Sequence, residues 1–392
     1  MHNENVLYVN YPILRKSAPG LKAVSVDIGI IGLPKSGRTT IFNALTRGKA
    51  DTGGYHREAA ASHVGITKVP EPRLDILTGM LQPKKVTLAE VRYTDIGASV
   101  RDLAKDIKGI GGELLNQLSN VDSMINVVRA FCDDRIPHIE GSLDVGRDIE
   151  AMNLELAFSD IALQERRLEK IEVSLKGAKA PERQALLREQ ELLSRIKAHL
   201  EDDIPLRELK LTADEVKLIT HYQFLTAKPL LIAVNIGEDQ LSQAVSLEAE
   251  LKTCYARPKC NLLTLCGELE MELAQLEDSA AAELRAEYGI TESGLDRVIK
   301  LSYELLGFIS FFTVVSDEVR VWSVKRGTSA LKAAGKIHSD MERGFIRAEV
   351  IGYDDFLKCD SLAETRKKGL LRLEGKDYPV QDGDIITFLF NV

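Results

Sequence analysis

A glycine-containing loop between an apolar segment and a helical segment constrains the fold of this chain more than any other feature. The apolar segment, Val24 to Ile31, has the pattern of a buried strand, and Thr39 to Leu45 has the pattern of a helix. The loop consists of Gly32, Leu33, Pro34, Lys35, Ser36, Gly37, Arg38 and Thr39, followed by Thr40. Its glycines let backbone N–H groups face a phosphate, and the helix N-terminus adds a favourable dipole. We therefore predict that these residues bind a nucleotide and that the Thr39 hydroxyl holds Mg²⁺; a glycine loop without a ligand is the alternative.

The cation of this loop is altered. Loops with this spacing carry a lysine whose compact charge lies between the β- and γ-phosphates. Arg38 stands in that position and keeps the charge, but its planar guanidinium is bulkier and directs its hydrogen bonds differently. We expect nucleotide binding to survive and the positioning for hydrolysis to suffer. Lys35 is a candidate for a second cation in the same loop.

Composition and charge exclude several classes of protein. The 392 residues are 44% hydrophobic and 28% charged, a typical globular mixture with room for two or three domains. The net charge of −8 argues against a chain that is basic all over, so RNA contact needs a local basic patch. No apolar run predicts a membrane span, and residues 1–24 lack the pattern of a signal peptide. The five scattered cysteines indicate reduced thiols in a cytoplasmic protein.

The order of apolar segments predicts an α/β fold. Strand candidates at Val86 to Thr94, Ser123 to Phe131 and Pro229 to Asn235 alternate with helical segments, which favours a mostly parallel sheet. From about Gly307 the chain changes to short strands separated by turn residues, which indicates a small β-rich domain.

Between the second and third of these strands, Ile149 to Ala227 has almost only helical character. Gly177 and Pro181 separate two apolar stripes, so we predict an antiparallel helical hairpin that is inserted into the sheet domain. The stripes consist of Leu154, Phe158, Ile161, Leu168, Ile171 and Leu175, and of Leu186, Leu193, Ile196 and Leu200.

The predicted organisation is therefore an N-terminal extension, a nucleotide-binding domain in two pieces, the hairpin, and a C-terminal domain. Their bounds are 1–24, 25–148 with 228–306, 149–227, and 307–392.

A base-recognition motif follows the third predicted strand. Asn235, Ile236, Gly237 and Glu238 stand where GTPases carry Asn-Lys-x-Asp, whose Asp pairs with guanine through two hydrogen bonds. The longer Glu238 displaces the acceptor, so the preference for guanine should fall. Cys266 and Gly267 are candidates for a second base-contacting loop. A polar turn without a base is the alternative.

The chain resembles the YchF/Obg-like ATPase family. The resemblance is carried by "IIGLPKSGRTTIFNALT", "VGITKVPEPRLDIL", "DIEAMNLELAFSD", "AAGKIHSDMERGFIRAEVI" and "LRLEGKDYPVQDGDIITFLFNV", and it extends from about Val26 to Val392. It implies a Ras-like P-loop fold with an inserted helical hairpin and a C-terminal TGS domain, which is a small β-grasp module. It further implies a preference for ATP over GTP, Mg²⁺ as the cofactor, and the ribosome as a partner through the hairpin and the TGS domain.

Several positions depart from the family pattern. The family's switch I threonine aligns with Ala59, and the glycine of its Asp-x-x-Gly motif aligns with Ala98, followed by Ser99. Asp95 is kept and can organise the Mg²⁺ shell. The family relies on a catalytic histidine, which aligns with Asn126; an amide can bind water but accepts no proton at neutral pH. The resemblance thus implies nucleotide binding with weak or lost hydrolysis.

Two function classes follow. The first is a slow ATPase, and the second is a non-hydrolysing binding module that acts through its hairpin and TGS domain, with nucleotide structural or absent. The candidate ribosome contacts, whose alternative is a solvated face, are Lys325, Arg326, Lys332, Lys336, Arg343, Arg366, Lys367 and Lys368.

Overall fold

The computed structural model describes residues 26–48, 63–96, 111–315, 317–359 and 361–391. The predicted N-terminal extension therefore lies outside the described residues. The strands are β1 (Val26–Gly32), β2 (His63–Lys68), β3 (Lys85–Thr87), β4 (Glu90–Asp95), β5 (Ser123–Arg129), β6 (Leu230–Asn235), β7 (Cys260–Leu265), β8 (Phe308–Val315), β9 (Glu318–Lys325), β10 (Phe345–Gly352), β11 (Arg372–Glu374) and β12 (Asp384–Phe390).

The helices surround two sheets. In chain order they are α1 (Arg38–Thr46), α2 (Pro72–Leu81), α3 (Gly111–Asn120), α4 (Val145–Leu175), α5 (Ala180–Glu201), α6 (Ala213–Ile219), α7 (Ala244–Tyr255), α8 (Gly267–Leu273), α9 (Asp278–Glu287), α10 (Gly294–Leu305), α11 (Ala330–Ile337), α12 (Ser339–Arg343), α13 (Tyr353–Phe356) and α14 (Leu362–Lys367). In the part of the chain that the structure describes, no helix is both long and apolar enough to cross a bilayer.

The first sheet has the strand order β2-β4-β1-β5-β6-β7. Only β2 runs antiparallel to its neighbour, so the prediction of a mostly parallel α/β sheet is confirmed. The sheet is apolar on both faces because helices cover both. Ile31 and Val128 pack with Met152 of α4 on one face, whereas Ile30 and Val127 pack with α1 and α10 on the other.

The second sheet has the order β11-β10-β12-β8-β9-β3. Strand β12 lies between β10 and β8 and runs parallel to β8, and α11 packs on the core of this sheet through its alanines. The C-terminal part of the chain thus forms a β-rich domain, as predicted, and its identity as a TGS domain stays a prediction. Strand β8 is an addition to the predicted set.

The predicted strand over Val86 to Thr94 is wrong as one element. The chain instead forms β3, which pairs with β9 of the second sheet, and β4, which pairs with β1 of the first. Leu74 and Leu77 of the preceding α2 pack on Phe312 of the second sheet. The residues before β4 therefore join the two sheets. No local sequence pattern predicts this contact.

The inserted segment forms the predicted antiparallel pair, α4 and α5, with Gly177 in the turn between them and Pro181 in the first turn of α5. Ile171 packs on Ile196 as expected, but Leu154 and Phe158 are 40% and 54% exposed. The reason is that the first half of α4 turns Met152 toward the sheet. Leu154 lies two positions after Met152 and Phe158 six positions after it, so both side chains face away from the sheet. The predicted stripe is thus wrong at these two positions.

A buried carboxylate fixes the base of the hairpin. Asp160 of α4 accepts hydrogen bonds from the backbone N–H groups of Leu225 and Thr226, at 2.9 and 2.8 Å, and from the Thr226 hydroxyl at 2.6 Å. Burial raises the pKa of Asp160 from 3.8 to about 6, although these donors oppose the shift. The folded state therefore binds this proton more tightly than the unfolded state. The contribution of Asp160 to stability is highest below pH 3.8 and is lost as the pH rises through about 6.

We predict that Thr226→Val destabilises the protein more at about pH 8 than at about pH 5. The hydroxyl stabilises the charged carboxylate, so its removal should cost about 1–3 kcal/mol where Asp160 is ionised and less where it is protonated. Thermal unfolding at the two pH values measures the difference. The exposed Thr253, whose hydroxyl donates to the Glu250 carbonyl of its own helix, provides the control variant Thr253→Val. Equal losses for Thr226→Val at both pH values would contradict the prediction.

Candidate nucleotide-binding site

The loop between β1 and α1 turns tightly at the carboxyl edge of the first sheet. Lys35 and Gly37 adopt positive φ angles of 66° and 87°, and the Ser36 N–H donates to the Leu33 carbonyl at 3.2 Å. A Cβ on Gly37 would lie 2.1 Å from Nδ2 of Asn235, so both the angle and the space require glycine there. Helix α1 begins directly after this loop, at Arg38, and Thr39 and Thr40 lie in its first turn.

Asn235 holds this loop to its neighbours. Its Nδ2 donates to the Ser36 carbonyl at 3.1 Å, and its Oδ1 accepts from the Gly267 N–H at 2.9 Å. The side chain is buried at the end of β6, so both bonds are shielded from water. One amide thus connects the phosphate loop, the end of β6 and the start of α8, which are the three segments that the sequence analysis predicts to bind the nucleotide.

The side chains of the other residues predicted to contact the base differ in their exposure to solvent. The side chains of Ile236 and Cys266 pack in the hydrophobic core, where burial raises the pKa of the Cys266 thiol. Glu238 is exposed and accepts a hydrogen bond from the Tyr288 hydroxyl at 3.3 Å. The charge of Glu238 raises the pKa of Tyr288. Only Glu238 therefore offers a side-chain acceptor from this motif to a base, and Tyr288 is a neighbour that sequence reasoning missed.

The structure brings Arg38, Thr39 and Asp95 together. Asp95 ends β4 and is 2% exposed. Its Oδ2 accepts from the Thr39 hydroxyl at 2.9 Å, as expected for the two predicted Mg²⁺ residues. Its Oδ1, however, accepts from Nε of Arg38 at 2.5 Å. The arginine in the lysine position thus points to the carboxylate, and in this arrangement the oxygens of Asp95 do not fit a divalent cation.

Asn126 lies beside the loop on β5, paired in register with Ile31. It is buried and lines a small cavity together with Leu33, Pro34 and Ser36. In the described part of the chain, its Nδ2 has no hydrogen-bond partner. Its predicted role in positioning water stays a prediction.

His138 and Asp148 close the same cavity, and neither was predicted. Nε2 of His138 donates to Asp148 at 2.8 Å, because Nδ1 accepts from the Glu140 N–H at 3.1 Å. Arg147 also contacts Asp148, at 2.9 Å. This cluster places the first turn of α4 at the cavity that the phosphate loop also lines. His138 comes from a loop and Asp148 from the start of α4, and no spacing in the sequence predicts that these two side chains pair.

The altered switch residues Ala59, Ala98 and Ser99 lie outside the described residues. The candidate ribosome contacts are described, and many of them form ion pairs. Lys332 pairs with Glu342, Arg343 with Asp340, Arg366 with Glu349, and Lys368 with Glu364.

By contrast, Lys325, Arg326 and Lys367 are exposed and form no ion pair with any residue that the structure describes. These three carry uncompensated positive charge on the C-terminal domain.

Comparison with known proteins gives consistent relatives over nearly the whole chain. The family model YchF-GTPase_C, described as a protein of unknown function (DUF933), matches residues 308–391. The ribosome-binding ATPase YchF of Bacillus subtilis is 40% identical over 371 residues, which is 94% of this chain and 100% of that protein. The ribosome-binding ATPase YchF of Escherichia coli O157:H7 is 34% identical, covering 93% of this chain and 99% of that protein. The solved structure of the Schizosaccharomyces pombe YchF GTPase matches with a TM-score of 0.78 and 29% identity, covering 93% and 98% of the two chains.

Proposed function

The chain belongs to the YchF family, and we propose that it is a cytoplasmic, ribosome-associated nucleotide-binding protein that prefers ATP to GTP and has weak or lost hydrolysis. Relatives that match over 94% and 93% of this chain are named ribosome-binding ATPases, which supports both the nucleotide and the ribosome as partners. The observation that carries the proposal is the phosphate loop held to both base-facing segments by Asn235, with Arg38 turned onto Asp95.

The preference for ATP follows from the base-facing side. A guanine-reading aspartate accepts two hydrogen bonds, and its position is set by the short side chain. Glu238 is longer by one methylene and is already bonded to Tyr288. The Ile236 side chain is apolar and buried, so it brings no polar group to the base. Guanine would therefore leave donors unpaired, which weakens binding relative to adenine.

We predict that calorimetry gives tighter binding for ATP than for GTP, and that Glu238→Asp narrows the difference by moving the acceptor back. Glu292→Asp, which changes an exposed glutamate outside the site, is the control and should leave the ratio unchanged. Tighter binding of GTP by the unaltered protein would refute the assignment.

Weak hydrolysis follows from the loss of positioned groups. Phosphoryl transfer depends on positioning and charge rather than on covalent help from the protein. Arg38 directs its charge to Asp95, and Asn126 provides no proton acceptor at neutral pH. Compared with the family pattern, Ala59 lacks the hydroxyl of the switch I threonine. Ala98 adds a Cβ where the family has the glycine whose amide meets the γ-phosphate. Loss of one transition-state donor typically costs about 2.7–4 kcal/mol, so several losses bring turnover close to the uncatalysed rate.

We expect single-turnover ATP hydrolysis to be very slow in the unaltered protein, and Arg38→Lys alone to restore little of it. Groups that act as a unit recover together, so the combined variant Arg38→Lys, Ala59→Thr, Ala98→Gly and Asn126→His should gain far more than any single change. The same assay separates the two function classes, since no turnover above background identifies a binding module. Rapid hydrolysis by the unaltered protein would contradict the proposal.

Ribosome association is assigned to the hairpin and to residues 307–392, acting as a TGS domain. Binding to RNA phosphates requires cations that are not already neutralised. Lys325, Arg326 and Lys367 meet this condition, whereas Lys332 and Arg343 are held by carboxylates. The three uncompensated residues are therefore the preferred phosphate contacts, because their charge is available to a partner.

We predict that co-sedimentation with ribosomes weakens steeply as salt rises, because each phosphate contact releases counterions. The triple variant Lys325→Gln, Arg326→Gln and Lys367→Gln should reduce both the binding and its salt dependence, by about one unit of slope per lost contact. The matched control is Lys332→Gln with Arg343→Gln and Arg366→Gln, which removes three paired cations of the same domain. Salt-independent association, or an equal loss in the control, would argue against this surface.

A further inference from the structure

We propose that the Arg38 guanidinium takes the place of Mg²⁺ beside Asp95, so that this protein binds nucleotide with little help from the metal. The inference rests on the proposed nucleotide binding and concerns the regulation of that same site.

The contacts at Asp95 carry the proposal. The Asp95 side chain is 3% exposed and has an acceptor bond at each oxygen, from Nε of Arg38 at 2.5 Å and from the Thr39 hydroxyl at 2.9 Å. The Arg38 side chain is itself only 16% exposed, so the pair is shielded from water on most sides. Charge-assisted bonds of this length between poorly hydrated groups are strong.

A divalent cation competes for the same carboxylate. Mg²⁺ requires a nearly octahedral set of oxygen ligands and keeps several of its waters, which need space next to the carboxylate. The guanidinium fills that space and repels a second cation. Mg²⁺ therefore gains Asp95 only after Arg38 has rotated away and left a buried ion pair broken, which is costly.

The coupling between Mg²⁺ and nucleotide should therefore be small. Coupling is reciprocal, so a metal that gains little from the protein adds little to nucleotide affinity. A lysine in the same position reaches the phosphates as a point charge and leaves the carboxylate available. The identity of one residue then decides whether free ATP or its Mg²⁺ complex is the better ligand.

The test is the dissociation constant for ATP measured by calorimetry in excess Mg²⁺ and in excess EDTA. We expect the two constants of the unaltered protein to agree within about threefold, below the usual range of coupling between sites. In Arg38→Lys and in Arg38→Gln, the ratio should rise to roughly 5–150-fold, because both release Asp95. Arg47→Lys, at an exposed arginine after α1 that pairs with Asp278, should leave the ratio unchanged.

The outcomes separate this inference from the proposed function. A large Mg²⁺ effect in the unaltered protein, equal to that of the Arg38 variants, overturns the inference and leaves nucleotide binding intact. Absence of ATP binding under both conditions overturns the proposed function and the inference with it. Because the first measurement needs no variant, the inference stays testable even where a variant folds poorly.

Discussion

The position of β1 between β4 and β5 is the constraint on which the rest of the site depends. Its parallel pairing on both sides brings the carboxyl ends of three strands to one edge, with Ile30 opposite Asp95 and Ile31 opposite Asn126. The buried faces of these strands do not tolerate a shift of register, because a slip of one residue would exchange the two sets of core side chains. The phosphate loop, the Asp95 carboxylate and the Asn126 amide are neighbours for this reason.

A second consequence of the fold is that the two sheets are joined through the segment that leads into β4. The strand β2 leads into α2 and β3, and both of these pack on the C-terminal domain before the chain returns as β4. Arg73 reinforces the contact, because it bonds Glu71 of its own segment and Asp382 of the C-terminal domain. The strand that ends in Asp95 therefore begins at an interface between the sheets.

The altered residues of the site differ in how the fold accommodates them. Arg38 finds a buried carboxylate and forms an ion pair, whereas Asn126 lines a cavity that His138 and Asp148 close from the side of α4. The loop itself keeps the geometry that glycine at position 37 permits. The tight turn of the loop is thus present, while the cation at position 38 is paired with a carboxylate.

Much of this could be predicted from the sequence because the signals are local. Continuous apolar runs marked β1, β5 and β6, the Gly177 and Pro181 region marked the hairpin turn, and the glycine spacing marked the phosphate loop. Helix α4 shows the limit of such signals. Its apolar pattern does not predict that the first half packs on the sheet and the second half on α5. Leu154 and Phe158 are exposed for that reason.

What only the tertiary structure decided are the contacts between residues far apart in the chain. Arg38 and Asp95 are 57 positions apart, and Ser36 and Asn235 are 199 apart. Nothing in either neighbourhood specifies the partner, because a side chain's direction depends on strand pairing and on competition between charges. The sequence by itself determined that a phosphate loop, a parallel sheet, a hairpin and a β-rich domain would form, since hydrophobic periodicity and glycine geometry act over a few residues. The assignment of β3 to the second sheet and of Arg38 to Asp95 required the fold, since both depend on which distant groups packing brings within bonding distance.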